Sequence, residues 1–317
     1  MSSSPSSTPR PERGTMSSAP ARIDVPVDAS RLPVTLPIIA EKKRLGEPLV
    51  MVTAYDFSSA RAAEAAGVDL VLVGDSGAMT VLGYPSTVPV STDEMLMLAR
   101  AVRRGLQTPF MVVDLPFGSY EESDEQAVRT AIRFIKDTGA DAVKLERGNE
   151  TSVARARAIV QAGIPVMGHV GLTPQTSTAL GGYRAQGRNT DGAVRIVREA
   201  LALQEAGCFA IVLEAIPAAV TAELMPLLRI PAIGIGAGPA ADGQVLVFHD
   251  LLGIREGRGA RFVQRYADIQ TDMNAGVAAY AADVRERRYP APEHCYSIKE
   301  HELAEFRREL AQFADDL

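Results

Sequence analysis

Eight short apolar runs, alternating with helix-like stretches, limit the folds open to this chain more than any other feature. The runs are Leu49–Ala54, Asp69–Val73, Phe110–Val113, Ala142–Leu145, Pro165–Gly168, Ala210–Leu213, Ala232–Ile235 and Gln244–Phe248. Continuous apolar runs of this length suit strands buried on both faces of a parallel sheet. Between them, Ser58–Ala66, Thr92–Arg104, Glu125–Thr138, Glu150–Gln161 and Gly192–Ala206 place apolar residues at helical spacing. They stop at Gly67, Gly105, Gly139, Gly163 and Gly207, where glycine supplies a left-handed cap. Eight βα units predict a closed (β/α)₈ barrel, with an open doubly wound sheet as the alternative. The short crossover from the seventh run to the eighth is the weakest part of that count.

The flanks read differently. Residues 1–34 are rich in Ser, Pro, Ala and Arg, bury too little apolar surface to offset their ordering entropy, and read as a disordered extension. Leu36–Arg44 predicts a helix plugging the barrel bottom, and Arg261–Glu286 a closing helix. The catalytic domain is thus expected over 35–292 and a helical extension over 293–317. In that extension Leu303, Phe306, Leu310, Phe313 and Leu317 form a stripe that needs a partner surface, in the same subunit or a neighbour.

Charge and cysteine content narrow the function. A formal net charge of −6 without a basic block argues against binding nucleic acid or anionic membranes. No apolar run reaches the roughly 20 residues of a membrane helix. Cys208 and Cys295 make neither a disulfide framework nor a metal motif, which points to a reducing cytoplasm.

In such barrels the C-terminal strand ends build the active site. Here those ends carry Asp75-Ser76, Asp114, Lys144 with Glu146, His169 and Glu214. Asp75, Asp114 and Glu146 fall on consecutive strands, and three converging carboxylates repel one another unless a cation lies among them. Oxygen donors suit a hard ion, Mg²⁺ by default. Each carboxylate could instead cap a helix or form a salt bridge. Lys144 stands two residues before Glu146, so both side chains share the interior face. It pairs either with a substrate anion or structurally with Glu146. His169 suits a hydrogen bond to a substrate oxygen or a role as acid; a structural barrel histidine is the alternative. Glu214, after Ile211-Val212-Leu213, suits a general base near neutral pH, or else a salt bridge. Ser76 suits a donor to a ligand carboxylate, or a turn cap. Gly234–Gly238 could cradle an anion or simply allow close backbone packing.

The sequence around these residues resembles the ketopantoate hydroxymethyltransferase family. Val73-Gly74-Asp75-Ser76, Met79-Thr80-Val81 and Thr53-Ala54-Tyr55-Asp56 carry the likeness, as do Ala101–Gly105, Asp114-Leu115-Pro116-Phe117 and Val143–Glu146. Gly168–Gln175, Gly181-Gly182-Tyr183, Gly234–Gly238, Asp242–Val247 and Tyr289-Pro290 extend it in register over about residues 36–298. Two departures occur at the mouth: Asp75-Ser76-Gly77-Ala78-Met79 where Asp-Ser-Leu-Gly-Met is frequent, and Arg147-Gly148 where two glycines are common.

The resemblance implies a barrel of the phosphoenolpyruvate-mutase/isocitrate-lyase type. It implies transfer of a hydroxymethyl group from 5,10-methylenetetrahydrofolate to 3-methyl-2-oxobutanoate, giving 2-dehydropantoate for pantothenate synthesis, through a Mg²⁺-stabilised enolate. It further implies Asp75, Asp114 and Glu146 as the Mg²⁺ site, and Ser76, Asp114, Lys144 and His169 as ketoacid contacts. Glu214 is the implied base, and the implied assembly is a homodecamer, a pentamer of dimers. A related carbon–carbon lyase or phosphonomutase, and a non-catalytic barrel, are the competing readings; the lyase would typically carry a reactive Cys on a mobile strand-end loop.

Overall fold

A computed structural model describes residues 31–255, 257 and 259–315. The extension expected at 1–34 lies outside the described residues through residue 30. From there the chain is already docked: Val34 is buried and its N–H donates to the Thr108 carbonyl, while Arg31 donates to the Val68 carbonyl. Contacts divide the chain into compact units at 1–247 and 248–317.

The first unit opens with helix α1 (Leu36–Leu45) and strand β1 (Leu49–Thr53). Then come α2 (Phe57–Ala66), β2 (Leu70–Val73), the single turn α3 (Gly77–Thr80), α4 (Thr92–Gly105), β3 (Phe110–Asp114), α5 (Asp124–Thr138) and β4 (Ala142–Lys144). It continues through α6 (Glu150–Gln161), β5 (Val166–Gly171), α7 (Thr190–Glu205), β6 (Ala210–Glu214), α8 (Ala218–Leu224), β7 (Ala232–Ile235) and β8 (Gly243–Leu246). The strands form a closed barrel in chain order, every neighbouring pair parallel, with β8 returning to β1. The open-sheet alternative is thereby excluded. The apolar runs produce this closure because a parallel strand is covered on both faces.

Helix starts follow local chemistry. Asp56 caps α2 by accepting from Ser59 N–H at 2.6 Å, and Ser91 with Glu94 forms a reciprocal capping box on α4. Gly67 and Gly139 end their helices at φ 69° and 73°. Gly105 does something else: it is the last residue of α4, and a Cβ there would strike Ala60 and the Phe57 carbonyl. Close approach of α2 to α4 explains it better than capping does. Between β7 and β8 residues 236–242 form a loop with no helix, which accounts for the short crossover.

Helix α1 closes the barrel at the end where the strands start. Ile39 enters a cluster with Leu49, Leu70, Phe110, Ala142 and Ala210, which are the first residues of their strands. Lys42 reaches Asp69 at 2.7 Å and Lys43 reaches Asp242 at 2.8 Å, fixing the plug just before β2 and β8. The opposite end is left to loops.

The second unit contains α9 (Phe248–Leu252), α10 (Ile269–Arg285) and α11 (Glu300–Asp315). On α10, Met273, Val277, Tyr280 and Val284 are exposed at helical spacing, as are Phe306, Leu310 and Phe313 on α11. Tyr289 packs edge-on against Tyr280 at 5.6 Å between ring centroids.

Candidate active site

The carboxylates, Lys144 and His169 converge at the C-terminal strand ends, in the order that strand register dictates. Asp114 ends β3 and lies opposite Lys144 of β4; Lys144 in turn lies opposite Met167 of β5. Strand alternation then brings Lys144, Glu146 and His169 to the interior face. Strand β5 runs on through Gly171, so His169 sits within the strand rather than just past it. Strand β6 likewise includes Glu214.

The distances describe one continuous network. Lys144 Nζ is 2.9 Å from Asp114 Oδ1 and 3.3 Å from His169 Nδ1. His169 Nδ1 is 3.5 Å from Glu146 Oε1, and Nε2 is 3.2 Å from Glu214 Oε2. Asp114 Oδ2 accepts from the Asp75 backbone N–H at 3.0 Å. Asp75, Asp114, Lys144, Glu146 and His169 are all buried; the Glu214 side chain retains 16% exposure and faces the mouth most openly. Ser76 Oγ stands 2.8 Å from the Tyr55 hydroxyl, at the turn from β2 into α3.

The electrostatics follow from burial and crowding. Burial first, then Asp114 and Glu146, pushes Asp75 well above the usual carboxylate range; Lys144 and Gln175 oppose this. Asp114 is also raised by burial, against the pull of Lys144. Burial would lower Lys144 and His169, yet their acidic neighbours prevail. Lys144 lies above its ordinary value, and His169 is pushed up to about 9 by Glu146 and Glu214. The Tyr55 hydroxyl, fully buried, is pushed up to about 12.

Burial raises Asp75 and Asp114, and acidic neighbours add to the rise at Asp75, so positive charge placed among them would be favourable. The all-oxygen set of Asp75, Asp114 and Glu146 fits a hard divalent cation in atom type and in sign. A finished ligand shell is not preassembled: among the described residues no three His, Cys, Asp or Glu side chains already converge as metal ligands. Instead Lys144 engages Asp114, and Gln175 engages the other two carboxylates.

Three polar residues at this mouth were not named as site residues from sequence, although Tyr55 and Gln175 fall within motifs that carry the resemblance: Tyr55, Tyr120 and Gln175. Tyr55 stands two residues past the end of β1, a position that could have flagged it. Tyr120 lies in a loop and Gln175 in the single 3-10 turn Pro174–Thr176, where no periodicity marks a direction. The glycine loop after β7 serves packing in part, since a Cβ on Gly238 would run into Ala218. A surface groove lined by Gln186, Arg188, Asn189 and Arg195 lies at the start of α7, and no sequence-predicted site residue lines it.

Barrel, register and mouth chemistry together define a class: a closed parallel barrel built like the phosphoenolpyruvate mutase and isocitrate lyase enzymes. A phosphonopyruvate hydrolase structure described as a complex with oxalate and Mg²⁺ superposes with a TM-score of 0.56 at 16% identity, covering 89% of this chain and 98% of that one. A 2,3-dimethylmalate lyase, described as a member of that superfamily, gives 0.51 at 16% identity, covering 87% and 98%. At such identity these likenesses speak to the fold.

The sequence matches are far closer. The ketopantoate hydroxymethyltransferase profile matches residues 33–292. An Arabidopsis thaliana protein named 3-methyl-2-oxobutanoate hydroxymethyltransferase 1, mitochondrial, is 49% identical over 89% of this chain and 83% of its own length. A Deinococcus radiodurans 3-methyl-2-oxobutanoate hydroxymethyltransferase is 52% identical over 81% and 91%. The chain belongs to the ketopantoate hydroxymethyltransferase family, and is a transferase enzyme.

Proposed function

We propose that this chain transfers a hydroxymethyl group from 5,10-methylenetetrahydrofolate to 3-methyl-2-oxobutanoate, giving 2-dehydropantoate. The observation that carries this reading is the chain of contacts Asp114–Lys144–His169–Glu214 in a family member with every implied site residue present. Asp75, Asp114 and Glu146 would hold Mg²⁺. Bound there, Mg²⁺ supplies Lewis acidity that makes the C3–H beside the 2-oxo group easier to remove.

The residues of the chain then divide the work. Glu214, the most open of the acidic groups and fixed by His169, takes the C3 proton. Lys144 offers its ammonium to the negative charge that develops on the 2-oxo oxygen. Ser76, oriented by Tyr55, donates to the ketoacid carboxylate. His169 as imidazolium spends its two ring N–H donors on Glu146 and Glu214 and holds both carboxylates at the ketoacid site. The C3 carbon forms its new bond to the one-carbon unit. One water is consumed: its oxygen becomes the hydroxyl, and the two folate nitrogens end as N–H, one with the proton lost from C3.

The competing lyase reading lacks its nucleophile. Cys208 is buried just before β6, at the opposite end of the barrel from the mouth, with its thiol pushed up to about 12 by burial; Cys295 lies in the second unit. Among the described residues no helix is long and apolar enough to cross a membrane. Cytoplasmic residence, and assembly into a homodecamer through faces such as the exposed apolar stripes of α10 and α11, complete the reading. Incubation with both substrates and Mg²⁺, followed by mass spectrometry for 2-dehydropantoate, tests it. Failure to form that product with folate and ketoacid both saturating rejects the assignment.

A further inference from the structure

Gln175 occupies the turn after β5, is almost fully buried, and spends its backbone N–H and both polar atoms of its side chain on the mouth. Its backbone N–H donates to Glu146 Oε2 at 3.0 Å. Its side-chain amide donates to Asp75 Oδ2 and to the Leu115 carbonyl, each at 2.9 Å. Its Oε1 accepts from the Tyr120 hydroxyl at 2.6 Å, and that hydroxyl also accepts from the Glu146 backbone N–H at 3.3 Å. One residue thus ties a carboxylate from β2 to a carboxylate from β4, and a buried tyrosine sets the direction of its amide.

We propose that Gln175 is a positioning residue for a divalent cation, acting through Asp75 and Glu146 and oriented by Tyr120. This rests on the reading of those carboxylates as Mg²⁺ holders. The geometry has three consequences that favour it. The clamp occupies one oxygen of each carboxylate, leaving Asp75 Oδ1 and Glu146 Oε1 outside it. A neutral side-chain amide on Asp75 and a backbone N–H on Glu146 orient the two groups without supplying the positive charge that a cation must bring. The Tyr120 bond consumes Oε1, so the amide cannot turn that oxygen toward Asp75. Carboxylate ligands held by such outer hydrogen bonds lose roughly 10- to 100-fold in metal affinity when the outer partner is removed.

The alternative is a loop staple, in which Gln175 merely ties its turn to Leu115. The two differ in what they move. A staple changes thermal stability in EDTA and leaves the affinity of folded protein for metal unchanged. The test uses the full chain and Mn²⁺, with unbound Mn²⁺ read by electron paramagnetic resonance in the absence of substrates. Gln175→Met keeps side-chain length and the backbone bond to Glu146 but removes all three hydrogen bonds of the side-chain amide. It is expected to weaken Mn²⁺ binding by about 10- to 100-fold. Tyr120→Phe keeps the ring packed and frees the amide to rotate; it is expected to weaken binding by at least about threefold, and it serves alone if the Gln175 variant does not fold. A folded variant of either kind that binds Mn²⁺ like the parent overturns the clamp while leaving the Mg²⁺ reading intact. A parent chain that binds no Mn²⁺ overturns both.

Discussion

Asp114 and Lys144 stand directly opposite each other on neighbouring strands, their charged atoms 2.9 Å apart and both side chains buried. A pair this enclosed is held less by its own attraction than by the cost of leaving either partner alone. Lys144→Met should therefore destabilise the chain by about 3–5 kcal/mol, because Asp114 is left charged and unpaired. The companion change Asp114→Asn in the same chain should recover much of that loss. Urea denaturation of the two single variants and the double variant measures the coupling. Additive losses would show that the pair is no unit.

Glu214 contacts His169 but no ammonium or guanidinium in this network, and it is the acidic side chain nearest to open solvent. As base, its replacement by Gln should slow solvent exchange of the C3 proton of 3-methyl-2-oxobutanoate by about 10²- to 10⁴-fold. Ketoacid affinity should change little, since the amide keeps the shape. Proton exchange followed by NMR in D₂O decides the matter: normal exchange in Glu214→Gln would remove it from the role.

His169 is pushed up to about 9 from an ordinary 6.5. A folded-state value above the unfolded one means the contribution to stability is complete below about 6.5 and is lost as pH rises through about 9. Asp75, raised by burial and by Asp114 and Glu146, acts with the same sign, since the folded chain holds its proton more tightly than the unfolded one. Thermal midpoints in EDTA should thus fall between pH 6.5 and 9, and His169→Asn should flatten the fall. Parallel curves for parent and variant would locate the titration elsewhere.

The site was legible in sequence as far as strand ends could mark it. Asp114 and Glu214 proved to be the last residues of apolar strands, and Lys144 and Glu146 shared a face because strand alternation leaves no choice. Gln175 and Tyr120 were given no site role for a physical reason. Both are uncharged residues outside the strands and α-helices, and their partners lie 100 and 55 positions away in the cases of Asp75–Gln175 and Tyr120–Gln175. No period in a loop reports which way a side chain points. Gly105 shows the same limit, since a glycine at a helix end looks alike whether it caps or lets a neighbouring helix approach.

Arg147 holds a left-handed φ of 74° immediately after Glu146, a conformation that favours glycine. For a residue with a Cβ that conformation costs roughly 1–2 kcal/mol, of which glycine's extra unfolded-state entropy returns part. Burial raises the nearby Glu199 carboxyl, opposed first by Arg195 and then by Arg147. Arg147→Gly should be neutral or stabilising by up to about 1 kcal/mol. A clear loss in denaturation midpoint would mean that the Arg147 side chain, rather than its backbone, governs the turn.

Gly171 ends β5 at φ 97°, and a Cβ added there would run into the backbone carbonyl of Glu214 and the side chain of Ile216. That carbonyl already accepts the Leu172 N–H at 2.9 Å, and Ala215, just after Glu214, is itself held at φ 49°. The β6 end therefore has little room to retreat. Gly171→Ala combines a forbidden backbone region with a backbone clash, so a stability loss above about 2 kcal/mol is expected. The displacement acts on the residue read as the base. Its kcat should therefore fall more than its ketoacid KM rises, whereas a purely global destabilisation would lower the active fraction and leave both constants of the folded enzyme alone. Steady-state kinetics well below the variant's melting temperature separate the two; unchanged kcat per folded site would show that the Glu214 carboxylate tolerates movement of its own backbone.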